Sequence, residues 1–545
     1  MRMFEIQGVL LDPARLTETR KTYRDYITKF ERWGFNTLVW HFTDDEGCAL
    51  RFPRRRELAS RHAYSQREMR ELIEFARGRG ISIIPEVECF GHTGYITRKK
   101  RYAHLRDGAP GKFFGAICPF HPDARAILED ILADTAETFD SEYIHVGLDE
   151  VGFGSNPVSA RLLRTRKKYE LFAEHAKWLH GVVSKLGRKM MMWGDHLQPP
   201  SKVLPIALDV EAFNGRIADA IPKDVVICDW HYNPKPDPGR LDFFINKGFQ
   251  VVACPATVAW EVLGHPRQSN LDNLRDFSAV AAPRSGRGVI GMINTVWTPP
   301  RNFPGTTLYG VALAAQYQRT GGKAPSGFDK AFVKETFGVA KPGPLAAALR
   351  KLHQVAPHTL VSVRAMPVRT NELEETTVEH VRALASLHRQ TARMALQLES
   401  IRKTITRNHS HFDDLLFTVR CYASAGARPA QLVRVSGLMK KGRYLAQQGK
   451  GVAAKEHFRR AADALDAMSG EAARLYQESV KRWNKSRFAD DPKRDGGGKF
   501  STFDALVERL CRSAKLFAML SREAQRLART GKGKIASLDT YPKPL

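Results

Sequence analysis

Five short stretches of the sequence gather imidazole or aromatic rings, four of them beside carboxylates. They are Trp40-His41 with Asp44-Asp45-Glu46, Glu86-Val87-Glu88 with His92, His145 with Asp149-Glu150, Trp193-Gly194-Asp195, and Trp230-His231-Tyr232; Trp297 stands farther on. Paired carboxylates can divide acid and base work, one holding a proton while the other stays ionised. Indole and phenol rings offer a flat apolar face with a polar edge, a shape that stacks on a pyranose. Together these types suit chemistry at a glycosidic bond. The segment Tyr143–Glu150 is the centre of that reading. Strand alternation through it puts His145, Gly147 and Asp149 on one face and Val146 and Leu148 on the other. Glu150 then falls at the strand-to-loop junction, with its carboxyl free to swing over whatever lies there. An Asp-Glu pair alone is equally a structural ion-pair element, so the pair needs its context.

The context is a regular alternation of strands and helices. Apolar, β-branched or aromatic runs occur at 4–11, 36–42, 81–87, 143–148, 189–193, 225–230, 250–254 and 289–297. Helical periods lie between most of them: 17–33 with Tyr23, Ile27 and Phe30 on one face, 65–79 with Ser65 as N-cap, 123–139 and 159–186. Eight strands at roughly 40-residue intervals predict an α/β fold, a closed (β/α)8 TIM barrel. A doubly wound open sheet would favour a Gly-rich turn after the first strand, where this chain has Leu11-Asp12-Pro13. In such a barrel the C-terminal strand ends carry the chemistry, and the acidic and aromatic clusters all fall there.

Beyond about residue 325 the pattern turns helical, with candidates at 376–404, 411–423, 429–447, 452–483 and 502–529, and a Gly-rich insert at 490–499. The chain therefore divides into a barrel over 1–322 and an all-α helical bundle over 323–545. The net charge of +27 sits mainly in the second part: residues 301–545 hold 43 Lys+Arg against 21 Asp+Glu. This surplus suits an acidic partner or simply a solvated helical surface, and no zinc-finger or RNP-like nucleic-acid motif accompanies it. The bundle could equally shape the substrate cleft or form a homodimer interface. Seven scattered cysteines argue against a disulfide framework and for a reducing, cytoplasmic location. No apolar run reaches about 18 residues and no signal-peptide pattern opens the chain, so no membrane association is expected. No His/Asp/Cys set has ligand spacing in the sequence, so neither metal nor cofactor is expected.

The order and wording of the motifs carry a resemblance. His145-Val146-Gly147-Leu148-Asp149-Glu150 resembles the His-x-Gly-Gly-Asp-Glu signature of glycoside hydrolase family 20, the β-N-acetylhexosaminidases. Trp40–Gly47 resembles that family's His-x-Thr-Asp-Asp-Gln-Gly stretch, and Pro85–His92 its Pro-Glu-Ile-Asp-x-Pro-Gly-His; Ile117-Cys118-Pro119 before a helix also agrees. The resemblance covers about residues 4–320. It implies substrate-assisted retaining hydrolysis of a terminal β-linked N-acetylhexosamine through an oxazolinium intermediate, an exception to the two-carboxylate scheme. Glu150 would be general acid/base, with a raised pKa, and Asp149, ionised, would orient the acetamido group. His92 and Asp44 would support the acid. Trp193 and Trp297 would wall the pocket, Trp230 and Tyr232 would add rings from strand six, and His145 and Gln7 would contact substrate.

Departures from the family pattern lie in sugar recognition. Gln7-Gly8 replaces Arg-Gly, and a neutral amide cannot copy a charged bidentate fork. Thr298-Pro299 follows Trp297 where an acidic residue is usual, and the seventh strand lacks its Tyr. Glu88 replaces Asp, Phe90 replaces Pro, and Leu148 replaces Gly at a position expected to point outward harmlessly. With the acidic pair kept and the hydroxyl-binding groups changed, altered specificity is the reading, with tolerance of a sulfated or otherwise acidic amino sugar as a corollary. The rivals are a catalytically inactive barrel that binds carbohydrate, and a nucleic-acid-associated protein working through its basic half. Plainer roles are open to single residues: His41 and His145 as barrel-core histidines, Trp178 as helix packing, Asp195 as a cap.

Overall fold

The computed structural model describes residues 3–108, 115–198, 216–258, 265–297, 303–355, 367, 369–488, 509–531 and 533–541. Eight parallel strands form the barrel: β1 (Ile6–Leu11), β2 (Thr37–His41), β3 (Ser82–Glu86), β4 (Tyr143–His145), β5 (Lys189–Trp193), β6 (Val226–Trp230), β7 (Val251–Cys254) and β8 (Val289–Val296). They hydrogen-bond in chain order, and β8 closes on β1 in register from Ile6↔Gly291 to Leu11↔Val296. All eight expected strands are present. A short strand, Ala256–Val258, lies along the end of β8, and a two-residue hairpin, Thr43–Asp44 with Gly47–Cys48, follows β2.

Helices α1 (Arg20–Trp33), α2 (Gln66–Arg77), α3 (Pro122–Thr138), α4 (Lys168–Lys185), α5 (Arg216–Ala220), α6 (Pro238–Asn246), α7 (Gln268–Ala281) and α8 (Pro304–Thr320) each follow one strand. Ser65 caps α2 in a full capping box with Glu68, as the sequence predicts. The expected helix over 159–186 is instead two, Pro157–Leu162 and α4. The break falls in a stretch holding Arg161, Arg164, Arg166, Lys167 and Lys168, whose like charges do not favour a continuous helix. Alternate strand residues fill the barrel: Leu10, Val39, Ile84, Met191, Val252 and Ile293 form an interior cluster. The opposite faces pack on the helices.

The rest is helical: α9 (Phe328–Phe337), α10 (Gly343–Gln354), α11 (Val378–Arg402), α12 (His409–Gln447), α13 (Gly451–Ser486) and α14 (Arg509–Thr530). Contacts such as Glu399–Arg420, Arg420–Glu478 and Ser469–Ala514 run in opposite chain directions, so α11 to α14 form an up-down antiparallel bundle. The sequence suggests a break at Pro429, yet α12 runs through it for 39 residues. An interior proline costs about 3 kcal/mol. Close packing offsets it here, because Gly426 lets α12 approach the α11 backbone at Leu384 and His388. Residues 490–499 lie outside the described residues.

The boundary at 322 is not a gap in the core. One hydrophobic cluster runs from the barrel helices through α9 and α10 into α11 and α12, and a second occupies the distal bundle. Buried polar contacts join the halves as well: Glu18–Arg487 at 3.2 Å, the Gly305 N–H to Asp414 at 3.1 Å, and Tyr422 with His265 at 2.6 Å. No described helix is long and apolar enough to cross a membrane. All seven cysteines are free thiols.

Candidate active site

At the strands' C-terminal ends the interior becomes polar. His41, Glu86 and His145 are register partners on β2, β3 and β4 and project inward as one layer. Glu86 takes the Trp193 Nε1–H at 2.7 Å and lies 3.1 Å from His41 Nδ1 and 3.7 Å from His145 Nδ1. Burial alone would neutralise His41, but Glu86 and Asp44 outweigh it and raise its pKa to about 10. His41 and His145 are thus core histidines that build the floor of the site.

Above this floor sits His92, held at φ 48° in the loop after β3. Its Nε2 lies 3.1 Å from Glu150 and 3.6 Å from Asp149; its Nδ1 lies 3.4 Å from Asp44 and 3.7 Å from Asp45. Burial opposes the charge, yet Asp149 and Asp44 hold the imidazole well above its ordinary pKa. Asp44 pairs with Arg15 at 2.7 Å and His41 at 3.2 Å. Against its own burial, Arg15 and His92 keep its carboxyl well below the usual range. The predicted quartet of Asp44, His92, Asp149 and Glu150 therefore meets at one point.

Exposure separates the carboxylates. Side chains of Asp44, Asp45, Glu86 and Asp195 are at most 5% exposed, whereas Asp149 is 14% and Glu150 15% exposed. Only these two of the six open to solvent. Burial pushes Asp149 up to about 7; His92 opposes that, while Asp195 and Glu150 add to it. This departs from the expectation of an ionised Asp149, whose proton is set jointly by its burial and by the His92 charge.

The backbone beneath the pair differs from the expected alternation. β4 ends at His145, and Gly147, Leu148 and Glu150 adopt φ of 69°, 75° and 50°. Gly147 is required, since a Cβ there would lie 2.0 Å from Glu88 Oε2. Leu148 does point into the outer core, fully buried, but it occupies a left-handed conformation that a Gly would hold without strain. Asp195, neither cap nor exposed ligand, accepts the Glu150 N–H at 3.0 Å, and His196 accepts that of Val151 at 2.8 Å.

Aromatic walls surround the opening. Trp193 and Trp297 lie 6.2 Å apart, Trp297 donates its Nε1–H to Tyr232 at 2.7 Å, and Trp230 leans on Tyr232 at 5.1 Å. Gln7 does not join them. It is an outward residue of β1, buried under α8, with its amide N–H on the Gln318 carbonyl at 3.4 Å. Thr298 and Pro299 lie outside the described residues. Arg15 lies outside every motif, whereas Glu86 and Glu88 stand within the Pro85–His92 motif, which names no role for them. Arg15 stacks on Trp297 at 5.3 Å, and Asp12, three residues before it, was the available signal. Glu86 anchors the floor. Glu88 is fully buried, and neither of its carboxyl oxygens has a hydrogen-bond partner among the described residues; burial, then Asp149, raises its pKa well above normal.

Ligand-type clusters do form in space, contrary to the sequence spacing. His41–Glu86–Glu88, Asp44–Asp45–His92 and His92–Asp149–Glu150 each bring possible donor atoms within 4.8 Å, as do His104, His121 and Asp123 at the surface. In the site, ion pairs between histidine cations and carboxylates already account for this proximity.

The Vibrio furnissii beta-hexosaminidase is 26% identical over 262 residues, covering 42% of this chain and 40% of that protein. Human beta-hexosaminidase subunit beta is 26% identical over 225 residues, covering 37% and 39%. The chain thus matches about two fifths of the length of these relatives. Among solved structures, the Vibrio harveyi GH20 exo-β-N-acetylglucosaminidase with N-acetylglucosamine aligns with a TM-score of 0.49 at 20% identity, covering 66% of this chain and 60% of that one. A family model described as "Glycosyl hydrolase family 20, catalytic domain" matches residues 4–283, just over half of the chain and most of the barrel that holds His92, Asp149 and Glu150, so this chain belongs to glycosyl hydrolase family 20.

Proposed function

We propose that the chain is a β-N-acetylhexosaminidase acting by substrate-assisted, retaining catalysis. The observation that carries this is the single pair of solvent-open carboxylates, Asp149 and Glu150, joined by the buried His92 beneath an aromatic wall. Glu150 donates its proton to the glycosidic oxygen as the bond to C1 breaks, and the substrate's acetamido oxygen closes on C1 to give an oxazolinium. Asp149 accepts the acetamido N–H and faces the positive charge that develops there. Glu150, now a base, takes a proton from water as that water opens the ring at C1 with net retention. His92, backed by Asp44 and Arg15, holds both carboxyls in place across this cycle. Trp193, Trp297 and Tyr232 exclude water and stack on the sugar.

The test is hydrolysis of 4-nitrophenyl β-glycosides of GlcNAc, GalNAc, 6-sulfo-GlcNAc, glucose and galactose by wild type and Glu150→Gln. Turnover confined to acetamido sugars, falling at least about 10²-fold in the variant, is expected. Preference for glucose, or a variant as active as wild type, would refute the assignment. Glycan binding without turnover would favour a carbohydrate-binding role instead.

A further inference from the structure

The distal bundle holds a feature that glycoside hydrolysis does not use. Between Asp414 and Glu456 the chain carries no Asp or Glu but eight Lys and Arg. Part of that stretch lines a cavity of about 560 Å³ where α11, α12 and α13 meet. Its apolar lining comes from Val381, Ala430, Val433 and Leu438; its charged lining comes from Arg434, Lys441 and Arg460, with His457 beside them. The size falls in the range of small-ligand sites, roughly 300–1,000 Å³.

The cations are not spent on neighbours. Among the described residues no carboxylate pairs with Arg434, Lys441 or Arg460. The two nearest acids along α13, Glu456 and Asp463, are both bound by Arg459, at 2.7 and 2.9 Å. Glu456 reaches His457 and Arg460 only as a weaker field. Lys441 has instead the face of Tyr444, 5.3 Å away and 54% exposed. Like charges gathered round a hollow repel one another, and an anion there relieves the repulsion. The apolar lining adds a second demand. A polyanion would gain nothing from Ala430 and Leu438, the apolar lining that still meets water, whereas a ligand with an apolar body would cover them.

We infer that this cavity binds a small amphipathic anion, a phosphate, sulfate or carboxylate head on an apolar chain, with the head at Arg434 and Lys441 and the chain along Ala430 and Leu438. The probe is octyl phosphate below its micelle concentration, titrated calorimetrically into the full-length protein beside inorganic phosphate and octyltrimethylammonium. Saturable one-to-one binding of octyl phosphate is expected, at least tenfold tighter than either control. Arg434→Glu/Lys441→Glu, both exposed positions, should weaken it at least tenfold while leaving the circular dichroism and the glycosidase rate unchanged. Equal binding of the two octyl ions, or an unaffected double variant, would overturn the assignment. So would heparin or a 20-mer oligonucleotide binding where octyl phosphate does not, which would mark a polyanion surface.

Discussion

Asp149 and Glu150 differ from the other acids of the site in one respect, access to solvent, and the proton balance follows from their neighbours. Asp149 lies near Asp195 and Glu150 with burial against it, and His92 only partly compensates. A carboxyl raised to about 7 is protonated below that pH and ionised above it. If ionised Asp149 must hold the acetamido N–H, kcat/KM should climb with pH toward about 7. The limb belongs to Asp149 together with His92 rather than to one residue. A pH profile of kcat/KM on 4-nitrophenyl N-acetylglucosaminide reads the free enzyme. An acidic limb near 4 would contradict this picture. Asp149→Asn should abolish the limb along with most of the rate.

Between β4 and the following helix, one short run of backbone sets both carboxyls, and its local conformations work against its own residues. Leu148 at φ 75° costs about 1–2 kcal/mol relative to a residue at ease there. Its fully buried side chain contributes more, since deleting a buried Leu costs about 2–5 kcal/mol. Leu148→Gly, although closer to the family signature, should therefore destabilise by about 1–3 kcal/mol in urea unfolding. A gain in stability would show that strain outweighs burial. This segment also shows what a sequence reader sees and misses. The eight strands are legible because each is a compact apolar run between amphipathic helices. The meeting of Asp44, His92, Asp149 and Glu150 is legible because their motifs sit at strand ends. Left-handed turns leave no hydropathy trace, so strand alternation read from the sequence runs four residues past His145, to Asp149. Gln7 was misplaced because a family position says which residue aligns, not which way a strand residue points; on β1 it shares the outward face with Val9 and Leu11. Arg15, Glu86 and Glu88 act through partners brought close by the closed sheet. Pro429 reads as a break, yet tertiary packing carries α12 through it.

Across the whole molecule, the helical half is welded to the rim of the barrel. Gly305 at the start of α8 allows this, because a Cβ there would lie 2.1 Å from the His411 carbonyl oxygen on α12. Beside that contact, Glu18 and Arg487 pair at 3.2 Å with side chains only 6% and 2% exposed. Removing one member of a buried pair strands the other charge, which costs about 3–5 kcal/mol. Arg487→Ala should lose about that much in denaturant unfolding, and adding Glu18→Gln should recover part of it. Full additivity of the two changes would show that the pair is not coupled. The thiols give the same unity a different readout. Cys48, Cys89, Cys118, Cys228 and Cys254 are buried in the barrel and Cys421 in the bundle, while Cys511 alone is partly accessible. An alkylating reagent therefore meets one slow-reacting site on the native chain, and every further adduct records an opening event. Peptide mass mapping of those adducts over time would show whether barrel and bundle open together or in turn.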